Sequence, residues 1–274
     1  MNSLLRCPLC HETLTKDAHS FVCAQRHCFD LAREGYVNLL PVQHKRSREP
    51  GDSPDMLLSR RTFLEAGYYD GFVGALASTL GALNGKRVVD IGCGEGFYAR
   101  QLCAGAQLVA IDIAKAGVRM AAKKARSSAL SDDAEFAVAS AAALPLHDDS
   151  MDLALSIFSP LHLDEAARVL KTGGRLCIAG AAPKHLRELS EAVYGEVREH
   201  AGHGLSADTH AAFELISHRH HREDIVLPHP LPGNLLKMTP YYWQAKPEAQ
   251  QRIEALDQFS VTLDFDIQLL EKRP

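Results

Sequence analysis

Val88-Val89-Asp90-Ile91 is an apolar run with the length of a buried strand. It passes directly into Gly92-Cys93-Gly94-Glu95-Gly96 before Phe97-Tyr98-Ala99-Arg100-Gln101-Leu102 opens a helical pattern. A strand that ends in three alternating glycines and turns into a helix leaves few folds open. Glycine reaches positive φ and carries no side chain, so such a turn brings backbone N–H groups up to a ligand at a strand's carboxyl end. Strand patterns recur at Arg87–Ile91, 108–111, 135–139, Met151–Ile157 and 175–179, with helical patterns between them and a helical stretch from Asp55 to Ala82 ahead of them. That alternation predicts a parallel sheet covered by helices. Near the end, Val261, Leu263, Phe265, Ile267 and Leu269 alternate with Thr262, Asp264, Asp266 and Gln268, which predicts an antiparallel strand added to the sheet. The expected class is therefore α/β, a Rossmann-like and mostly parallel sheet with an antiparallel C-terminal strand.

The next predicted strand ends in Asp112, about 20 residues beyond the glycines, where a carboxylate can accept both hydroxyls of a ribose. A dinucleotide fingerprint would need its third glycine at position 97, which is Phe97, so the spacing speaks against NAD and FAD. An acidic residue followed by G-x-G-x-G resembles motif I of the class I S-adenosylmethionine-dependent methyltransferases. The resemblance runs from about Tyr69 to the C-terminus. It includes Ser140-Ala141 after the third strand, Leu144-Pro145 with Asp149 and Asp152, and the Arg168-Val169-Leu170-Lys171-Thr172-Gly173-Gly174 turn. It implies S-adenosyl-L-methionine as the methyl donor, held around Asp90, Gly92, Gly94, Gly96, Ser140 and Ala141.

At 274 residues the chain suits one large domain and a small accessory unit. No apolar run approaches the roughly 20 residues that span a bilayer, and the first residues are too poor in apolar side chains for a secretion signal, so a cytoplasmic protein with no membrane partner is expected. Seven cysteines in that reducing compartment read as metal ligands and packed thiols. Cys7-Pro8-Leu9-Cys10 is a knuckle, and Cys23 with His27 or Cys28 follows after twelve residues. Four soft or borderline ligands in two close pairs suit a closed, structural zinc ion whose binding supplies folding energy to a short segment. Cys93, Cys103 and Cys177 read as packed thiols. The expected domains are a zinc-ribbon-like unit at 1–43, a basic linker at 44–56 and the methyltransferase domain at 57–274.

The order of these parts closely resembles the bacterial 23S rRNA (guanine-N1)-methyltransferases over nearly the whole chain. The most specific stretches are Glu34 to Asp52, Arg60-Arg61-x-Phe63-Leu64-x-Ala66-Gly67 and Met238-Thr239-Pro240-x-x-Trp243. The resemblance makes the unit at 1–43 the RNA-recognising part and implies zinc ligands at Cys7, Cys10, Cys23 and His27. It also implies donor contacts at Tyr69, Gly94, Glu95 and His185, 23S rRNA as partner and a homodimer. Lys45, Arg46, Arg48, Arg60 and Arg61, with Lys115, Arg119 and Lys123 on one helical face, are candidates to track phosphates.

The Asn/Asp-Pro-Pro-aromatic motif of amino-group methyltransferases is missing; Ser159-Pro160 stands at its place, which is compatible with a ring nitrogen acceptor. Guanine N1 must lose a proton, and Ser159, His162 and Asp164 are the candidates near the acceptor, with Tyr241, Tyr242 and Trp243 able to stack on a base. Two other classes share parts of this pattern: a zinc-bearing RNA-binding protein with an idle methyltransferase fold, and a small-molecule methyltransferase.

Overall fold

The computed structural model describes residues 2–41, 51–130, 134–197 and 211–274. Lys45, Arg46, Arg48 and Glu49 of the basic stretch lie outside the described residues. The chain opens with a small antiparallel sheet of β1 (Asn2–Arg6), β2 (Thr13–Lys16), β3 (Ser20–Val22) and β4 (Cys28–Asp30). The large sheet has the order β11 (Phe213–Pro228), β12 (Gln258–Lys272), β10 (Leu170–Ala181), β9 (Met151–Ile157), β6 (Arg87–Ile91), β7 (Gln107–Asp112), β8 (Glu135–Val138) and β5 (Tyr36–Asn38). From β10 to β5 the pairing is parallel, whereas β12 runs antiparallel to β10 and β11 antiparallel to β12. The fold class read from the sequence is the one observed.

Neighbouring residues on each parallel strand serve opposite faces. Val88, Leu108, Ala110, Phe136 and Cys177 belong to one buried cluster, while Val89, Val109, Ile111, Ala137 and Ile178 belong to the other. Each fully buried aliphatic side chain contributes about 1.5–3 kcal/mol, so a one-residue slip would forfeit both cores at once. The first cluster is roofed by α1 (Pro54–Glu65), α2 (Asp70–Leu80), α3 (Phe97–Leu102), α4 (Lys115–Ala125) and α7 (Leu231–Lys237). Helix α1 starts where Ser53 accepts the amide hydrogen of Met56 at 3.3 Å and Pro54 fills the first turn.

The second cluster takes in Leu5, Leu14 and Phe21 of the small sheet, so the ribbon has no core of its own apart from the methyltransferase sheet. Polar ties reinforce the seam: Ser3 Oγ donates to Glu135 at 2.9 Å, the Arg6 amide to the Pro145 carbonyl at 2.8 Å and Arg119 Nε to Glu34 at 2.8 Å. Strand β5 lies within the first 43 residues and yet pairs with β8 as an edge of the large sheet.

Two differences from the sequence reading have clear causes. The strand expected at 175–179 extends to Leu170–Ala181, because a register shift between Leu170 and Arg175 lets the strand accommodate Gly173-Gly174 and continue. Strand β11 was not expected at all. Its Ser217-His218-Arg219-His220-His221-Arg222-Glu223-Asp224 core is polar on both faces and mostly exposed, so it carries no apolar alternation; backbone pairing with β12, joined by the His218–Asp266 and His220–Asp264 side-chain pairs, makes it a strand. Those charges also guard an outer edge of the sheet.

Candidate donor and zinc sites

The chain proceeds outward from β6 through β7 to β8 and then returns to the other side of β6 as β9. The crevice beyond the carboxyl ends of β6 and β9 is thus the topological switch point, where doubly wound sheets bind ligands. The glycine turn fills one side of it. Gly92, Gly94 and Gly96 have φ of 77°, 54° and 80°. A Cβ at Gly92 would stand 2.3 Å from the Cβ of Ser159, and one at Gly96 2.8 Å from the Cβ of Ala121. Both turns of chain therefore need glycine for space as well as for φ.

Asp112 ends β7 and reaches back into this turn. Its Oδ2 accepts the Gly94 amide hydrogen at 2.8 Å and its Oδ1 that of Ala114 at 2.7 Å. Each oxygen keeps a lone pair, enough for two ribose hydroxyls. Burial raises the carboxyl above the usual carboxylate range, opposed by the two amide donors. Asp90, at 2 % exposure, is pushed up to about 7 by burial and by the neighbouring Asp112, and its Oδ2 has no partner. Glu95 is 1 % exposed; Arg61 Nε donates to its Oε2 at 3.1 Å and Arg100 lies at 3.4 Å, while Oε1 is unpartnered. Two buried carboxylate oxygens awaiting donors beside a ribose-competent Asp112 fit a ligand with a cationic amino end and a nucleoside, as S-adenosylmethionine has.

An aromatic wall faces the turn. Tyr69 is buried, with its hydroxyl 3.4 Å from His185 Nε2, and Phe265 packs 4.7 Å from the His185 ring and 4.2 Å from Phe72. Burial raises the Tyr98 hydroxyl well above its ordinary value. Phe158, directly after β9, is the residue the sequence reading missed: it is 42 % exposed, has φ of 52° and lies 5.9–6.4 Å from Tyr69, Phe72, Tyr98, His185 and Phe265. A bulky side chain held in the left-handed region at a strand end marks a site, and the Phe158-Ser159-Pro160 string after a buried strand was its available signal.

The other candidates lie as follows. Ser140 and Ala141 form the half-buried turn after β8, whose Ala139 amide donates to the Asp112 carbonyl at 3.0 Å. Ser159 is buried and donates to the Ile91 carbonyl at 2.6 Å, with Ser156 Oγ at 2.9 Å, so it splices the ends of β6 and β9. His162 and Asp164 are exposed at the start of α5 (Leu163–Val169). Trp243, on α8 (Tyr241–Gln244), is 66 % exposed; its Nε1 lies 3.2 Å from Met56 Sδ and its ring stands edge-on to Tyr242. Arg60 and Arg61 turn inward: Arg60 pairs with Asp52 and the Met238 carbonyl, Arg61 with Glu95. Lys115, Arg119 and Lys123 are exposed along α4.

In the ribbon, the ligand atoms of Cys7, Cys10, Cys23 and His27 all lie within 4.8 Å of one another. His27 Nδ1 is 3.5 Å from Cys7 Sγ and 3.4 Å from Cys23 Sγ, and the Cys10 and Cys23 sulfurs are 3.6 Å apart. Separations of this size surround a tetrahedral ion at ordinary Zn–S and Zn–N bond lengths. Cys28 starts β4 with its side chain exposed and is outside the cluster.

Comparison with known proteins agrees with both halves. Residues 5–48 match the zinc-ribbon family described as RlmA, N-terminal, and residues 89–178 match a methyltransferase domain. The 23S rRNA (guanine(748)-N(1))-methyltransferase of Streptomyces fradiae is 32% identical over 258 residues, covering 90% of this chain and 89% of that protein. YxjB of Bacillus subtilis, whose name makes it a candidate 23S rRNA (guanine-N(1)-)-methyltransferase, is 30% identical over 97% of this chain and 96% of its own. Among solved structures, YcgJ of Bacillus subtilis superposes with a TM-score of 0.51 at 19% identity, covering 74% of this chain and 98% of that one, which is a likeness of fold. Ribbon, donor turn and full-length relatives together make this chain a member of the 23S rRNA (guanine-N1)-methyltransferase family.

Proposed function

We propose that the protein transfers a methyl group from S-adenosylmethionine to N1 of one guanine in a hairpin loop of 23S rRNA. The observation that carries this reading is the relationship to guanine-N1 methyltransferases over nine-tenths of both chains, ribbon included. The sulfonium of the donor supplies an electrophilic methyl group; the protein's task is to hold an acceptor nitrogen in line with it, close and out of water. The glycine turn, Asp112, Asp90 and Glu95 support a role in fixing the donor, and Tyr69 and His185 wall the same crevice.

N1 of neutral guanine bears a proton that has to leave as the N1–carbon bond forms, so a proton acceptor or a donor to O6 belongs at the mouth of this crevice. Phe158 and Trp243, both exposed aromatics, support a stacking role for an extruded base. Ser159 has both its hydrogen and its oxygen engaged inside the fold, which favours a positioning role for it. No helix among the described residues is long and apolar enough to cross a membrane. A cytoplasmic homodimer acting on rRNA completes the reading.

The test is incubation of the full chain with methyl-labelled donor and 23S rRNA from cells lacking the modification, followed by nucleoside mass analysis. Label in 1-methylguanosine is the expected result. Label confined to another nucleoside, or none in RNA despite donor binding, would overturn it.

A further inference from the structure

Arg60 stands in front of the donor turn. A Cβ at Gly94 would lie 3.7 Å from its Nη1, so the guanidinium fills the space that a side chain there would enter. Its positive charge reaches Tyr69, Tyr98 and Asp112, the groups that wall the crevice, and favours the ionised form of each. Its partner is Asp52, whose Oδ2 accepts from Nη1 at 2.5 Å, and its Nη2 also points to the Met238 carbonyl at 3.4 Å. Asp52 belongs to a strap: Gly51, just before it, abuts Ala114, where a Cβ would stand 2.6 Å from the Ala114 Cβ, and Ser53, just after it, caps α1. The strap therefore passes over Ala114, two residues beyond Asp112, on its way to Arg60. Arg61, the adjacent guanidinium, is already committed to Glu95.

The donor proposed above has a nucleoside at one end and a carboxylate at the other. With the ribose on Asp112 and the chain of the ligand passing across Gly94, the next cation met is Arg60. We propose that Arg60 is the residue that holds the α-carboxylate of S-adenosylmethionine, and that Asp52 occupies its place until the donor arrives. The exchange replaces one carboxylate by another on the same guanidinium, so the charge at Arg60 stays balanced. Asp52, with a side chain 34 % exposed, can return to water at little cost. It also removes a second negative charge from the neighbourhood of Asp112.

This inference rests on the donor reading, and the experiment separates the two. Binding of S-adenosylmethionine and of decarboxylated S-adenosylmethionine, which lacks only the carboxylate, is measured by calorimetry on the full chain and on Arg60→Gln, Arg60→Lys and Asp52→Asn, with thermal melts alongside. The native chain is expected to prefer the carboxylated donor by about 10- to 100-fold, the worth of hydrogen bonds to a charged group. Arg60→Gln should erase that preference by weakening only the carboxylated donor, Arg60→Lys should keep part of it, and Asp52→Asn should tighten the carboxylated donor alone. Equal weakening of both ligands in Arg60→Gln, or no preference in the native chain, would overturn the assignment while leaving the donor reading intact. Failure of the native chain to bind either ligand would overturn the donor reading itself. Should Arg60→Gln melt before measurement, the Arg60→Lys and Asp52→Asn ratios decide.

Discussion

His185 accepts the backbone N–H of Asp264 on Nδ1 at 3.1 Å, and this places its Nε2 toward the hydroxyl of Tyr69 at 3.4 Å. An imidazole whose Nδ1 lone pair is taken carries its hydrogen on Nε2 when neutral. The phenolic oxygen of Tyr69 is then the acceptor, which leaves its own hydrogen to be donated to another group. The antiparallel strand β12 thereby orients a side chain of the aromatic wall.

Tyr69→Phe is expected to weaken donor binding about 10-fold, the usual value of one buried hydrogen bond to a charged or polar partner, with little change in melting temperature. Calorimetric titration with S-adenosylmethionine and a thermal melt check it. A large drop in stability with unchanged affinity would assign Tyr69 to packing alone.

Asp90 gives a pH signature. Burial raises its carboxyl to about 7 in the folded chain, against about 4 when unfolded. Between those values the folded state holds a proton that the unfolded state has released, so stability is full below about pH 4 and falls as pH rises toward 7. Asp90→Asn should remove this slope and stabilise the ligand-free chain at pH 8 by roughly 2–4 kcal/mol, while weakening donor binding. Melting curves of both proteins from pH 4 to 8 provide the comparison, in which groups common to both cancel.

Gly117→Ala tests how closely α4 is seated under the turn. Its Cβ would meet the Gly94 carbonyl oxygen at 2.8 Å, a backbone atom with nowhere to go. The expected result is loss of donor affinity with a stability cost of about 1–3 kcal/mol, as for other overpacked sites. Gly81→Ala is the control: it has φ of 71° but open space around it, so it should cost only about 1–2 kcal/mol and leave affinity unchanged.

In the ribbon, Cys28→Ser should retain one zinc per chain, whereas His27→Ala or Cys23→Ser should lose it. Metal analysis of the purified proteins distinguishes them. Retention by His27→Ala combined with loss by Cys28→Ser would transfer the ligand role to Cys28.

Leu5→Ala examines the shared core. Leu5 is fully buried among residues of the ribbon and of the methyltransferase sheet, so truncation should cost about 2–5 kcal/mol. Because the core is common to both parts, the whole chain should melt earlier in a single transition. A separate early transition would mean that the ribbon unfolds alone.

The parts whose signals are local were legible in the order of the amino acids. A buried strand before three glycines, the acid at the end of the next strand, and a Cys7–Cys10 pair followed by a Cys23–His27 pair at ligand spacing each depend on near neighbours, and each stands where it was read. Tertiary structure decided what depends on distant partners. β11 exists because β12 offers backbone donors and acceptors, despite a polar sequence with no alternation to announce it. The ribbon shares a core with the sheet because Leu5, Leu14 and Phe21 cannot bury their surface within so small a unit. Arg60 and Arg61 read as candidates to track phosphates, yet α1 turns them toward Asp52 and Glu95, and only folding brings Arg61 and Glu95, 34 positions apart, into one ion pair.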